Sequence, residues 1–307
     1  MTSIFLLPAM LLAGLVLQRR PAFSDRLLPL LNAWILKVAI PALTLLYLSR
    51  LELGPRLLLP VAAAWLVFGL AWAWVRLLRP WLGLDRAGIG CLILMAGLGN
   101  TSFVGFPLIR LLYGESGLQT AVLVDQPGTF LILGTLGLIV ASAHAGSSVS
   151  PRTLAIRVLS FPPFLAFLAA MLAQILGWQP TGPLAELLQL LGASLGPLAL
   201  LAVGLQLKPI LDRELLRPLL AGLSFKLLLA PLLIAAIYAG GLQLRGELVQ
   251  VCILEAGMGP MITAAIVAGS YNLQPRLAGM MLAVGVPLSL LTVPVLNWVF
   301  QGLAAGT

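Results

Sequence analysis

Charge is scarce in this chain. Of 307 residues, 9% are Asp, Glu, Lys or Arg, while 60% are hydrophobic. A soluble domain carries about a quarter charged residues to cover its surface, so a water-facing exterior is excluded and lipid is the covering left. Histidine is rarer still: His144 is the single one, set in a polar loop, which removes a ligand cluster for zinc. Cys91 and Cys252 both fall in apolar runs and read as small core residues, not as a disulfide or a metal site. With no Ser/His, His/Glu or paired-Asp constellation, neither an enzyme nor a resident cofactor is expected. Acidic residues number 10 against 18 basic, for a net charge of +8. The basic residues stand singly or in pairs in short loops, which is a membrane-topology pattern and not a nucleic-acid surface.

What the chain has in quantity is apolar sequence, with a mean hydropathy of +1.06. Runs of about 20 residues, enough to cross a ~30 Å hydrocarbon core at ~1.5 Å per residue, recur along its length. They predict ten transmembrane helices, at 3–18, 29–49, 56–78, 88–112, 117–141, 154–177, 184–206, 215–240, 247–269 and 276–302. The first counts as a membrane helix because the start lacks the basic region and cleavage site of a signal peptide. Turns are marked by Gly54-Pro55, Arg79-Pro80, Gly114 to Gly117, Gly182-Pro183 and Gly240-Gly241. The longest connection, Ser142 to Pro151, divides the chain near its middle. Twelve basic residues fall on the side of the odd-numbered loops, Lys208 among them, and four on the other, with Lys37 and Lys226 inside spans. Both termini are therefore expected outside the cell (inner) membrane, on the periplasmic side in a Gram-negative source.

An internal repeat organises the spans. Met95 to Asn100 in helix 4 aligns with Glu255 to Pro260 in helix 9 at an offset of 160, and at that offset Pro127 meets Pro287. Pro41 to Leu46 in helix 2 resembles Pro197 to Ala202 in helix 7 at an offset of 156. Leu-rich segments match cheaply, but three Pro/Gly-anchored matches in order point to a real repeat. Five helices per half is an odd number, so the second half enters the membrane inverted, as in many secondary transporters. Residues 1–143 are read as the first repeat, 144–153 as a cytoplasmic linker and 154–307 as the second.

Helices 4 and 9 both carry interruptions, Gly97 through Pro107 and Gly257 through Pro260. Proline removes an amide donor and glycine relaxes the backbone. In hydrocarbon the freed groups need protein or a water-filled cavity, so paired breaks in matching helices mark a transport site. Half-helix N-termini offer partial positive charge to an anion, and C-terminal ends offer carbonyls to a cation. The expected substrate residues are Gly99, Asn100, Thr101 and Ser102 at the first break and Gly259, Pro260 and Met261 at the second. Glu255, Asp125 and Gln126 are candidates to bind a cation or proton, and Gly97, Gly105, Pro107 and Gly257 are candidate hinges. Against these stand structural readings: Asp125 bridging to Lys226, and Glu255 capped by a backbone amide. Lys37 reads as a snorkelling residue, while Lys226 is divided between snorkelling and bridging.

The stretch Gly99-Asn-Thr-Ser-Phe-Val-Gly-Phe-Pro-Leu108 resembles the helix 4 motif of the auxin efflux carrier family, which includes plant PIN-type exporters and bacterial dicarboxylate carriers. Gly257 to Pro260 and Tyr271 to Pro275 are similar to the matching region, and the resemblance covers the full chain. It implies a fold of the bile-acid-symporter and NhaA-like type, an all-α membrane protein whose helices 4 and 9 cross at their breaks. Helices 1, 2, 6 and 7 would form a scaffold, with a homodimer through it, and helices 3–5 and 8–10 a transport domain moving elevator fashion. Asn100 sits at the family's substrate-contacting asparagine and Pro260 at its second crossover proline. Gly99 replaces the proline that precedes that asparagine in plant exporters, and their long loop is about ten residues here. Glu255 resembles the sodium-ligating glutamate of the bile-acid symporters. The expected activity is secondary transport of a small organic anion, a carboxylate, coupled to H⁺ or Na⁺. Alternatives are sodium symport of a bulkier amphipathic anion and, less favoured because no soluble signalling domain is appended, a membrane ligand sensor.

Overall fold

The computed structural model describes residues 2–50, 54–146, 150–207 and 212–304. Lys208 and the middle of the central loop therefore lie outside the described residues. Among these residues the chain is helical throughout, and its single extended pairing is an isolated bridge between Gly99 and Pro260. Six helices are long and apolar enough to cross a membrane: Arg26–Leu48, Pro55–Leu82, Thr101–His144, Gly182–Gln206, Arg213–Gly241 and Pro275–Gly302. Shorter apolar helices run over Pro8–Leu17, Arg86–Gly97 and Pro162–Ile175. Thr101–His144, at about 66 Å for ~1.5 Å per residue, is far longer than one crossing. Gly114 resolves this, because its φ of 64° and ψ of −146° break the helix where the sequence expected a turn.

Prolines shape the helices in a regular way. A proline lacks its N–H and its ring pushes away the carbonyl four residues earlier, so the preceding turn widens to a π-helical one. Ile35–Ala39, Thr101–Gly105 and Phe225–Leu229 are such turns, and Pro41, Pro107 and Pro231 follow two residues after each. A fourth, Asp125–Phe130, contains Pro127. The expected span 154–177 is divided before Pro162-Pro163 into Pro151–Leu159 and Pro162–Ile175. His144 is not in a loop: it closes the helix Leu138–His144, where its Nδ1–H donates to Val140 O at 2.8 Å.

The chain forms two compact units. Unit 1 comprises Met1–Pro55, Ser102–Val122 and Leu159–Leu207. Here Gly14 and Gly204 let the helices Thr2–Leu17 and Leu195–Gln206 meet backbone to backbone. A methyl group at Gly204 would stand 2.9 Å from Gly14 Cα, a contact of the small-residue kind that brings membrane helices together. The Trp34 indole N–H donates to Ser194 Oγ at 3.0 Å, and the Arg50 guanidinium to Pro180 O at 3.1 Å.

Unit 2 comprises Arg56–Thr101, Leu123–Val158 and Lys208–Thr307. Its helices are tied by ring donors that find carbonyls, as buried indoles and phenols must: Trp65 to Pro127 at 3.2 Å, Trp74 to Ala221 at 3.0 Å and Tyr238 to Leu59 at 2.6 Å. Two short helices, Arg86–Gly97 and Glu247–Ala256, run into the interior of this unit and stop there. Gly88 through Gly97 are buried without exception, as are Val249 through Ala256. At 12 and 10 residues they extend only about 18 and 15 Å at ~1.5 Å per residue. Each is too short to cross a ~30 Å hydrocarbon core, and both end inside protein. Broken backbone survives there and not against lipid.

Candidate functional site

The two short helices end against each other. Leu98 leaves helical geometry with φ −110° and ψ 119°. Asn100 N–H then donates to Gly259 O at 2.7 Å, and Met261 N–H to Leu98 O at 3.0 Å. These two bonds flank the Gly99–Pro260 bridge and satisfy four groups that the breaks had freed. Glycine is required on both sides of this contact. A methyl at Gly259 would stand 2.9 Å from Gly285 O and from Ser289 Oγ, and one at Gly97 would stand 2.7 Å from Phe68 Cδ2. Gly257 closes the helix Glu247–Ala256. Beyond the crossing, helix resumes at Thr101 and at Ile262, the latter with no side chain capping its first amides.

Charged groups surround this crossing. Asp125 is buried in a π turn, and both its oxygens are engaged: Oδ1 accepts from Thr101 Oγ1 at 2.5 Å and Oδ2 from Gln126 Nε2 at 2.8 Å. Glu255 is 1% exposed, and neither carboxylate oxygen has a hydrogen-bond partner among the described residues. It is therefore not capped by a backbone amide. The charges acting on it are those of Asp125 and Lys226. Lys226, also 1% exposed, does not snorkel: a methyl at Gly99 would lie 2.9 Å from its Nζ, so the ammonium rests on the crossing itself. A cavity of about 10 Å³, room for roughly one water molecule, is lined by Gly99, Thr101, Thr129, Lys226, Cys252 and Glu255.

Unit 2 thus brings together Gly97, Gly99, Asn100, Thr101, Asp125, Gln126, Glu255, Gly257, Gly259, Pro260 and Met261, with all the named hydrogen bonds internal to it. Ser102, Gly105 and Pro107 belong to unit 1; they too are buried, the first two within the π turn Thr101–Gly105. The residue missed from the sequence-derived set is Lys226. Its depth was the available signal: it lies eleven residues past Leu215, about 16 Å into a span at ~1.5 Å per residue, beyond snorkelling reach. Unit 1 holds its own apolar hollow of about 370 Å³ beside Leu43, Phe106 and Pro197. The charged residue in its wall, Arg110, is paired with Glu115 at 2.5 Å.

An intramembrane lysine and two carboxylates at paired helix breaks are expensive groups that mark substrate and ion pathways. Comparison with known proteins agrees in kind. Over 93% of both chains, the protein is 29% identical to an uncharacterized transporter of Methanothermobacter thermautotrophicus. It is 25% identical to an uncharacterized transporter of Methanocaldococcus jannaschii, over 88% of this chain and 89% of that one. A model of the family described as membrane transport protein matches residues 1–297. The chain belongs to that membrane transport protein family, the auxin efflux carriers whose motif surrounds Asn100.

Proposed function

We propose that this transporter is a secondary active carrier of a small organic anion, a mono- or dicarboxylate, coupled to protons. The observation that carries the reading is the crossing at Gly99–Pro260 with Lys226 against it and the unbonded Glu255 carboxylate beside it. The half-helices starting at Thr101 and Ile262 present amide ends that favour an anion, and Asn100 stands immediately before the first of them. Sodium needs several oxygen ligands at once, whereas Asp125 already accepts from Thr101 and Gln126, and the cation at this cavity is an ammonium. A proton moving on and off Glu255 needs no such ligand set. The bulkier amphipathic substrate is less favoured, because the large hollow of unit 1 has its arginine neutralised by Glu115.

The reading includes ten spans in two inverted repeats in the cell membrane, termini outside, and an elevator movement carrying the crossing as one body. What supports the last is that the two backbone hydrogen bonds that join the crossing lie within unit 2. The test is uptake of labelled carboxylates into proteoliposomes. Wild type is expected to accumulate a carboxylate when the outside is made acidic, equally in Na⁺ and K⁺ buffers, and Asn100→Ala to abolish it. Uptake indifferent to Asn100→Ala would sink the site, and a requirement for Na⁺ would sink proton coupling.

A further inference from the structure

A second charged hollow lies in unit 2, away from the crossing. Arg76 and Arg79 share one face of the end of helix Leu58–Leu82, three residues apart. Gly83, in the left-handed region at φ 62°, ends that helix, and Arg86 opens the next. The three arginines, with Ile89, Ala143 and His144, line a hollow of about 280 Å³. No carboxylate among the described residues lines it. Asp85, the nearest in sequence, is occupied by its helix cap, accepting from Gly88 N–H at 2.7 Å. The two salt bridges among the described residues involve Arg110 and Arg276, not these arginines.

The hollow is held in shape. Arg86 Nη2 donates to Ala143 O at 2.5 Å, tying it to the end of helix Leu138–His144. Gly90 leaves the space that the His144 ring fills, since a methyl there would stand 2.8 Å from its Cγ. His144 spends Nδ1–H on Val140 O, so Nε2 is the ring nitrogen left for another partner. Three guanidinium groups converge with no counter-charge among the described lining residues, and guanidinium forks match phosphate oxygens.

The neighbouring surface says how the anion arrives. Trp72, Leu77 and Trp81 on the same helix are exposed, and the Arg76 guanidinium lies 5.9 Å from the centre of the Trp72 ring. Indoles and a leucine around a basic helix end are what a membrane–water interface selects. By the distribution of basic residues, this end faces the cytoplasmic leaflet, where anionic headgroups gather.

We propose that this hollow binds the phosphate of an anionic phospholipid headgroup, with the acyl chains against the Trp72–Trp81 surface. The chemistry shared with a free phosphate is separated by experiment. Delipidated full-length protein in neutral detergent is titrated with phosphatidylglycerol, with phosphatidylcholine of the same chains and with inorganic phosphate, reading bound lipid by native mass spectrometry and the thermal midpoint. Wild type is expected to retain phosphatidylglycerol over phosphatidylcholine. R76Q/R79Q/R86Q should lose that retention by about tenfold or more, while R76K/R79K/R86K recovers much of it. R56Q/R245Q, altering exposed arginines outside the hollow, should leave retention intact. Equal loss in R56Q/R245Q, or none in the triple Gln variant, overturns the site. Protection of wild type by inorganic phosphate alone, without lipid preference, overturns the lipid assignment. An unchanged midpoint of the Gln variant in phosphatidylcholine shows that it folds, and the Lys variant carries the test if it does not.

Discussion

The two breaks that meet at the crossing are matched in backbone and unmatched in chemistry. At the offset of 160, Gly97 and Gly99 correspond to Gly257 and Gly259, and Pro127 corresponds to Pro287. The polar residues have no such partners: Glu255 answers to Met95, Asp125 to Gly285 and Asn100 to Pro260. The matched glycines accompany two helix ends held face to face, and the unmatched residues supply the charge. Gly285 shows why the departures are forced. Its would-be methyl lies 2.5 Å from Pro260 Cδ and 2.6 Å from Leu223 Cδ2, so no side chain fits where the other half carries Asp125.

That contrast can be broken from either side, and stability falls in a predictable order. Lys226→Met strips the buried carboxylates of their nearby cation and is expected to give the largest fall in thermal midpoint of these changes. Adding Glu255→Gln should return part of the loss, and a double variant no better than Lys226→Met would show that the two charges are not coupled. Gly285→Ala attacks the backbone match instead and should cost about 1–3 kcal/mol through overpacking, with transport lost as the crossing shifts. Asn100→Ala truncates a buried polar side chain and should cost about 1 kcal/mol. The backbone N–H that pairs with Gly259 O is one that alanine keeps, while uptake is lost. Gly69→Ala, in open space on helix Leu58–Leu82, should raise stability by up to about 1 kcal/mol through helix propensity and leave uptake unchanged.

Much of this was legible in the sequence, because prolines and glycines act locally. Gly97–Asn100 and Gly257–Pro260 mark the breaks by composition alone, and each proline-linked π turn stands next to its proline. Gly114 could be placed as a turn for the same reason. What escaped depends on three dimensions. The exact edge of the first break, at Leu98 and not nearer Pro107, is set by pairing with Met261, 163 residues away. Lys226 was read as divided between two roles, because a lysine's partners at depth are chosen by the helices packed around it. From sequence His144 reads as a loop residue, because small polar neighbours mask the last turn of its helix, held by the bond to Val140.

Proton-driven transport, as proposed for the unevenly charged crossing, is tested most directly by Glu255→Gln. In proteoliposomes with an acidic exterior, wild type should accumulate a carboxylate above equilibrium. Glu255→Gln should still exchange labelled for unlabelled carboxylate but no longer accumulate it against a gradient. Accumulation by Glu255→Gln equal to wild type would contradict the account.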